Sequence, residues 1–161
     1  MVHNRNVYRN WQSTHRKVIK KGDKVFATIR KPDALDDLKA QYPETLSVAI
    51  LDVTDTAAIN EVITKAFAEM GNIDVIVNNA GYALFCAVEE ASNEQIRQQI
   101  DTNVIGSIQV IRAALPFLRQ QGHGRIMQIS TAGGQTTYPN FGYYHTTKWQ
   151  LKASVILLQK N

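Results

Sequence analysis

The sequence contains one cysteine, Cys86, and only four histidines in 161 residues. A single cysteine can form neither an internal disulfide nor a thiolate metal cluster, and it fits a reducing compartment. The histidines are scattered without the spacing of metal ligands, so we expect no metal site.

Long apolar runs are missing as well. The stretch over residues 73–77 is far shorter than the roughly 18 residues of a membrane helix, and no secretory signal pattern is present near Met1. We therefore expect a cytoplasmic protein without a membrane partner. Because 44% of the residues are apolar, the chain can build one core, and we expect residues 1–161 to form a single domain.

Charge is distributed unevenly. Residues 1–31 contain nine lysines and arginines against one acid, Asp23, whereas the remainder contains nine against thirteen. A basic head can be a nucleic-acid or membrane arm, but such arms have an amphipathic stripe or a disordered composition. This head shows neither clearly, so we expect no nucleic-acid partner.

From Gly22 onward, short apolar runs alternate with stretches of helical periodicity. This alternation is typical of βαβ units, and apolar strands of this kind are buried on both faces of a parallel sheet. The predicted fold is α/β, a doubly wound, mostly parallel, Rossmann-like sheet. Strands are predicted over residues 24–28, 46–51, 74–78 and 125–130, and helices over 33–41, 56–70 and 93–120.

Four short motifs follow one another in this pattern. Each has a predicted structural context: two directly follow strands, one lies in the long helix, and one follows the last predicted strand. Together they resemble the short-chain dehydrogenase/reductase family over about residues 18–149. The motifs are Asp52-Val53, Asn78-Asn79-Ala80-Gly81, Asp101-Thr102-Asn103-Val104-Ile105-Gly106 and Tyr144-His145-Thr146-Thr147-Lys148.

Tyr144 and Lys148 are four residues apart, which places them on one face of a helix. There an ammonium can stabilise a phenolate and lower the tyrosine pKa toward the working pH. The spacing predicts Tyr144 as a general acid. For an isolated pair, a half-buried core tyrosine and a solvated lysine would be the simpler interpretation.

The resemblance implies two further catalytic residues. Thirteen residues before the tyrosine the family has a substrate-orienting serine, and this position is Thr131 here; Ser130 is the alternative. Threonine keeps the hydroxyl donor and adds a methyl group. Asn103 matches the family asparagine that holds a water for proton relay, although a helix asparagine that bonds its own backbone is the other interpretation.

The resemblance also implies a dinucleotide site. NAD specificity needs an acid at the end of the strand that here continues as Arg30-Lys31, and cations suit a 2′-phosphate. We therefore expect NADP(H) rather than NAD, with a solvated basic turn as the alternative. The implied cofactor residues are Arg30, Asp52 and Val53 near the adenosine, Asn79, Ala80 and Gly81 along the ribose units, and Tyr144 with Lys148 at the ribose hydroxyls.

Both ends depart from the family. Its glycine-rich turn needs glycines close to the first strand, whereas the first glycine here is Gly22. A one-base shift of the reading frame permits an apolar strand with glycines in place of Arg5, Arg9 and Trp11, and a second shift near residue 150 permits the family's continuation of the tyrosine helix. We therefore expect residues 1–17 and 150–161 to be non-native in sequence and the sheet to be incomplete at both ends.

The resemblance implies an oxidoreductase that transfers a hydride between NADP(H) and a small alcohol or carbonyl substrate, as a homo-oligomer if folded. Three aromatic residues, Tyr82, Phe85 and Tyr138, weakly favour an apolar substrate. The alternative is a catalytically inactive remnant, or an interaction module of the same fold.

Overall fold

The computed structural model describes residues 19–158, with side chains through residue 153. The prediction for residues 1–17 therefore lies outside the described residues. In this part of the chain, no helix combines the length and hydropathy needed to cross a membrane. The strands are β1 (Val25–Ile29), β2 (Leu46–Ile50), β3 (Val75–Asn78) and β4 (Arg125–Gln128), and the helices are α1 (Asp36–Gln41), α2 (Thr56–Met70), α3 (Asn93–Ile100), α4 (Gly106–Gln121) and α5 (Gly142–Leu158).

The predicted α/β class and parallel pairing are confirmed. β1 pairs with β2 and β3 pairs with β4, both in parallel. In residues 19–158, however, the strands form two separate two-stranded sheets. The long predicted helix is interrupted by a π-helical turn, Asp101–Ile105, between α3 and α4, and α5 extends through residue 158.

The larger core lies between α2 and α4. Helix α2 begins where the Asp55 carboxylate accepts the Ala58 N–H at 3.0 Å and ends at Gly71, whose φ of 72° suits glycine. Both ends agree with the prediction. Residues at helical spacing interlock across the interface, and Phe67 stacks on Phe117 with ring centroids 4.7 Å apart. The buried members are Leu51, Ile59, Ile63, Phe67, Val110, Ala114 and Leu118.

A second core packs α1 and the preceding turn onto β1 and β2. Its buried members are Ile19, Ala27, Ile29, Leu35, Leu38 and Leu46. Alternate residues of β1, Ala27 and Ile29, face this cluster, as expected from the two-residue period of a strand. This core holds the carboxyl end of β1, where Arg30 follows.

The prediction that the strands are covered on both faces is wrong for β3 and β4 within the described residues. Ile76 and Ile126 pack against the core between α2 and α4. On the opposite face Val75 is 47% exposed, Val77 38% and Met127 52%. Because side chains alternate along a strand, one covering layer buries only one of the two apolar sets.

Candidate active site

The candidate residues follow the carboxyl ends of three strands. Asp52 and Val53 come after β2, Asn79 and the two residues after it follow β3, and Thr131 follows β4. Ligands of open parallel α/β sheets bind outside these strand ends. The fold thus places the predicted residues on one edge of the molecule.

Tyr144, Lys148 and Thr131 come together at the start of α5. The Thr131 side chain lies near enough to the Tyr144 phenol to lower its pKa. The Lys148 Nζ lies 5.7 Å from the Tyr144 ring centroid and donates to the Ile129 carbonyl at 2.9 Å. Lys148 is only 4% exposed, and this hydrogen bond ties its ammonium to the residue that follows β4.

The ionisation of Tyr144 differs from the prediction. Burial raises the pKa of Tyr144, and the nearby Thr131 side chain opposes this only in part. Burial also lowers the pKa of Lys148. The expected lowering of the Tyr144 pKa is therefore wrong for this structure, because desolvation of the phenol outweighs it. The tyrosine is thus held in its protonated, proton-donating form.

Of the two hydroxyl residues considered, Thr131 is the one that contacts Tyr144. The Ser130 Oγ instead lies against Gly134, where it would be 2.7 Å from a Cβ atom on that glycine.

Two glycines that the sequence analysis did not select allow this packing. A Cβ atom on Gly133 would collide with the His145 ring of α5, and one on Gly134 would lie 2.7 Å from the Ser130 Oγ. The turn Ala132–Gly134 can therefore approach α5 closely. The pair of adjacent glycines, ten residues before Tyr144, is the sequence signal that could have indicated it.

Asn103 is fully buried in the π turn and uses its whole side-chain amide. Its Oδ1 accepts the Tyr82 N–H at 2.9 Å, and its Nδ2 donates to the Tyr82 carbonyl at 2.8 Å and to the Thr147 Oγ1 at 3.1 Å. The interpretation that Asn103 bonds the backbone of its own helix is wrong. Both amide protons point to protein atoms, whereas the Oδ1 accepts one N–H and keeps a second lone pair.

The turn after β3 is fitted against this asparagine. A Cβ atom on Gly81 would lie 3.0 Å from the Asn103 Oδ1, tighter than ordinary packing allows. Asn79 and Ala80 are half-buried between Gly81 and the strand. Asn78, in contrast, is 3% exposed and donates to the Ser107 carbonyl at 2.9 Å, which anchors the turn to α4.

Two charged residues lie just beyond the paired strands β1 and β2: Arg30 follows β1 and Asp52 follows β2. Asp52 accepts from the Thr54 N–H at 3.0 Å and the Thr54 hydroxyl at 2.8 Å; these bonds, with a smaller effect of Arg30, lower the pKa of Asp52. Burial raises the pKa of Tyr82, and here the charge of Arg30 opposes the shift. The positive charge of Arg30 thus acts on Asp52, one of the predicted adenosine residues. The backbone of Val53 packs closely against the first residue of α4, Gly106, where an added Cβ would lie 2.7 Å from the Val53 carbonyl oxygen.

The main residues that sequence reasoning missed are buried polar ones. Gln99 and Thr147 are both completely buried and bond to the residues described above. Gln99 lies outside the four motifs, and Thr147 lies inside the Tyr144–Lys148 motif without having been given a role. The available clue was a polar side chain at a helix position whose neighbours predict burial.

Comparisons with known proteins agree with this architecture. The family model described as short chain dehydrogenase matches residues 12–160. Oxidoreductase BOA17 of Botryotinia fuckeliana is 38% identical over 141 residues, which are 86% of this chain and 52% of that protein. NADP-dependent 3-hydroxy acid dehydrogenase YdfG of Escherichia coli K12 is 40% identical over 134 residues, 83% of this chain and 54% of that protein.

A solved structure is similar over almost the whole chain. The closed form of serine dehydrogenase complexed with NADP+ superposes with a TM-score of 0.87 at 36% identity, covering 92% of this chain and 60% of that one. This chain spans about half the length of the curated relatives that it matches. By the family model, the relatives and the fold, the chain belongs to the short-chain dehydrogenase/reductase family.

Proposed function

We propose that this chain carries the cofactor-binding and catalytic part of an oxidoreductase that transfers a hydride between NADP(H) and a small alcohol or carbonyl substrate. The observation that carries the proposal is the convergence of Tyr144, Thr131 and Lys148, in which the ammonium lies 5.7 Å from the phenol ring and Thr131 lowers the Tyr144 pKa. Such a group combines a proton donor, an orienting donor and a fixed positive charge.

The residues at the strand ends fit a dinucleotide with a 2′-phosphate. Arg30 is an exposed cation directly after β1, and Lys31 follows it. Gly81 lets the turn after β3 pack directly against Asn103, where a Cβ would lie 3.0 Å from the Asn103 Oδ1. Named relatives and the similar solved structure use NADP. We infer that Arg30 holds the 2′-phosphate, that Asp52 and Val53 lie near the adenine, and that the turn from Asn79 through Gly81 lies along the ribose units.

When bound, NADP(H) supplies or accepts the hydride. In the direction of reduction, the Tyr144 hydroxyl gives its proton to the substrate carbonyl oxygen, and the Thr131 hydroxyl donates a hydrogen bond that orients this oxygen. Lys148 provides positive charge near the phenolate that remains. Because burial keeps the Tyr144 pKa high, the residue holds its proton at neutral pH, which suits this direction.

The direct test is a titration of the chain with NADPH, followed by nicotinamide fluorescence, with NADH as the comparison. Residues 1–21 contain no glycine to approach the pyrophosphate, so we expect weak but saturable binding that favours NADPH. A panel of aldehydes and ketones then reports NADPH oxidation. Equal signals with NADPH and NADH would refute the role of Arg30, and no signal with either would refute the cofactor site.

Homo-oligomerisation, cytoplasmic location and the single-domain organisation remain predictions. Sedimentation equilibrium of the purified chain addresses the first of them directly. Resequencing of the gene addresses the two proposed frame shifts, because the codons of Arg5, Arg9 and Trp11 must read as glycine in the shifted frame.

A further inference from the structure

Gln99 is a buried amide that the proposed reaction does not use. It lies on α3, one turn before Asn103, and is 0% exposed. Its Nε2 donates to the Tyr82 carbonyl at 3.0 Å, and the Asn103 Nδ2 donates to the same oxygen at 2.8 Å. A carbonyl oxygen has two lone pairs. Two amides from α3 and the π turn therefore determine the direction in which the Tyr82 carbonyl points.

The side-chain oxygen of Gln99 shows that stability alone does not explain why a glutamine occupies this position. Among residues 19–153, its Oε1 has no hydrogen-bond partner. A buried polar atom without a partner costs about 1–3 kcal/mol. Leucine or methionine would fill a similar volume without this penalty. The structure keeps a glutamine here, so its single donated bond to Tyr82 is the feature to explain.

That bond is part of a chain of contacts that reaches the catalytic helix. The Tyr82 N–H is held by the Asn103 Oδ1, and the Asn103 Nδ2 also donates to the Thr147 Oγ1. The Thr147 hydroxyl in turn donates to the Tyr144 carbonyl at 2.7 Å. Both backbone polar groups of Tyr82, its N–H and its C=O, are thereby linked through Asn103 to the first turn of α5, which carries Tyr144. Gly81, the last residue of the proposed cofactor turn, directly precedes Tyr82.

We propose that Gln99 is a positioning residue for the cofactor turn. By holding the Tyr82 carbonyl, it fixes the turn from Asn79 through Gly81 against the π turn and in register with Tyr144. The inference rests on the proposed function, because the turn's alignment with a cofactor is what this position serves. Asn103 alone would leave the carbonyl with one donor and more freedom to rotate.

Three variants of the chain test the proposal. Gln99→Leu removes the donor and the unpaired oxygen at similar volume. Gln99→Glu keeps the shape but makes the donor depend on protonation, since only the neutral carboxyl can donate to Tyr82. Gln98→Glu makes the same chemical change on the exposed side of the same helix and is the matched control.

The first measurement is amide hydrogen exchange across residues 79–84. Loss of one hydrogen bond is worth about 1 kcal/mol, so exchange there should become about 5-fold faster in Gln99→Leu and stay unchanged in Gln98→Glu. Unchanged exchange in Gln99→Leu would overturn the proposal. An equal increase in β3, α4 and α5 would overturn it too, because it would indicate general loosening.

The second measurement varies pH and keeps the proposal testable if Gln99→Leu does not fold. Relative to wild type at each pH, Gln99→Glu should exchange normally at low pH and faster as its carboxyl ionises. A folded Gln99→Glu without this pH dependence contradicts the proposal, since a merely structural role gives no such profile.

The third measurement is the NADPH titration of the same variants, in which Gln99→Leu should bind about 5-fold more weakly than wild type. Normal affinity together with a loosened turn would overturn the link to the cofactor. If wild type itself shows no NADPH signal, the proposed function fails, whereas the exchange data still decide whether Gln99 holds Tyr82.

Discussion

Replacing Lys148 with methionine should stabilise the protein while removing its proposed chemistry. In the native structure Lys148 is 4% exposed, and its ammonium donates a hydrogen bond to the Ile129 carbonyl at 2.9 Å. A hydrogen bond from a charged group contributes about 1.5–3 kcal/mol, whereas the effective desolvation of a buried ammonium costs several kcal/mol. Methionine fills a similar space without a charge. The free energy of unfolding should therefore rise by about 1 kcal/mol.

Thermal unfolding followed by circular dichroism measures this difference. For a chain of this length, 1 kcal/mol corresponds to an increase in Tm of about 2–4 °C. Lys152→Met is the matched control, because Lys152 lies one turn further along the same helix and is exposed. We expect that control to leave the Tm nearly unchanged.

The dependence on pH provides a second check. Burial lowers the Lys148 pKa from its ordinary value of 10.5, so the native state loses this proton at a lower pH than the unfolded chain does. Between the two pKa values the unfolded state binds more protons, and stability rises with pH. The desolvation penalty of the Lys148 ammonium is thus fully present below the pKa of Lys148 in the native state, and it is relieved as the pH approaches 10.5. A variant that melts lower than wild type, or a Tm difference that does not shrink in this range, would refute the reasoning.

Three more substitutions have defined outcomes. Tyr144→Phe should reduce carbonyl reduction at least about 100-fold and leave NADPH affinity within about twofold; a parallel loss of binding, measured by nicotinamide fluorescence, would make the residue structural. Arg30→Gln should weaken NADPH binding about 10-fold without affecting NADH, which paired titrations check. Gly81→Ala puts a Cβ 3.0 Å from the Asn103 Oδ1 and should lower the free energy of unfolding by about 1 kcal/mol, whereas Gly142→Ala, whose nearest neighbour is 3.5 Å away, should not; urea titrations compare the two.

Local signals account for the parts of the fold that were predicted well. Asp55 begins helix α2 and Gly71 ends it. Each forms a hydrogen bond with a backbone group only a few residues away along the chain. The π turn had no such signal, because the Gly106 N–H bonds back to the Asp101 carbonyl for reasons of tertiary packing. Exposure of one face of β3 and β4 was missed for a similar reason, since a strand's own residues do not state which layers cover it.

The candidate site was predicted unevenly for a related physical reason. Helical spacing predicted that Tyr144 and Lys148 lie together, and their separation is 5.7 Å from the Nζ to the ring centroid; Thr131 was implied by the resemblance. The direction of the Tyr144 pKa shift was wrong, because spacing on a helix gives the position of a charge but not the desolvation around the phenol. The depth of burial depends on every element packed nearby, and this information is not local.

The connections between the motifs were beyond sequence reasoning because they end on main-chain atoms. Asn103 and Gln99 bond the backbone of Tyr82, Lys148 bonds the Ile129 carbonyl, and Thr147 bonds the Tyr144 carbonyl. Every residue except proline presents the same N–H and C=O groups, so the partner's identity leaves no trace in the sequence. What the sequence does record is the buried donor at the other end of each bond. A polar residue at a position that helical periodicity predicts to be buried is therefore the signal for such a connection, and Gln99 is the case in which that signal lies outside the motifs used to recognise the site.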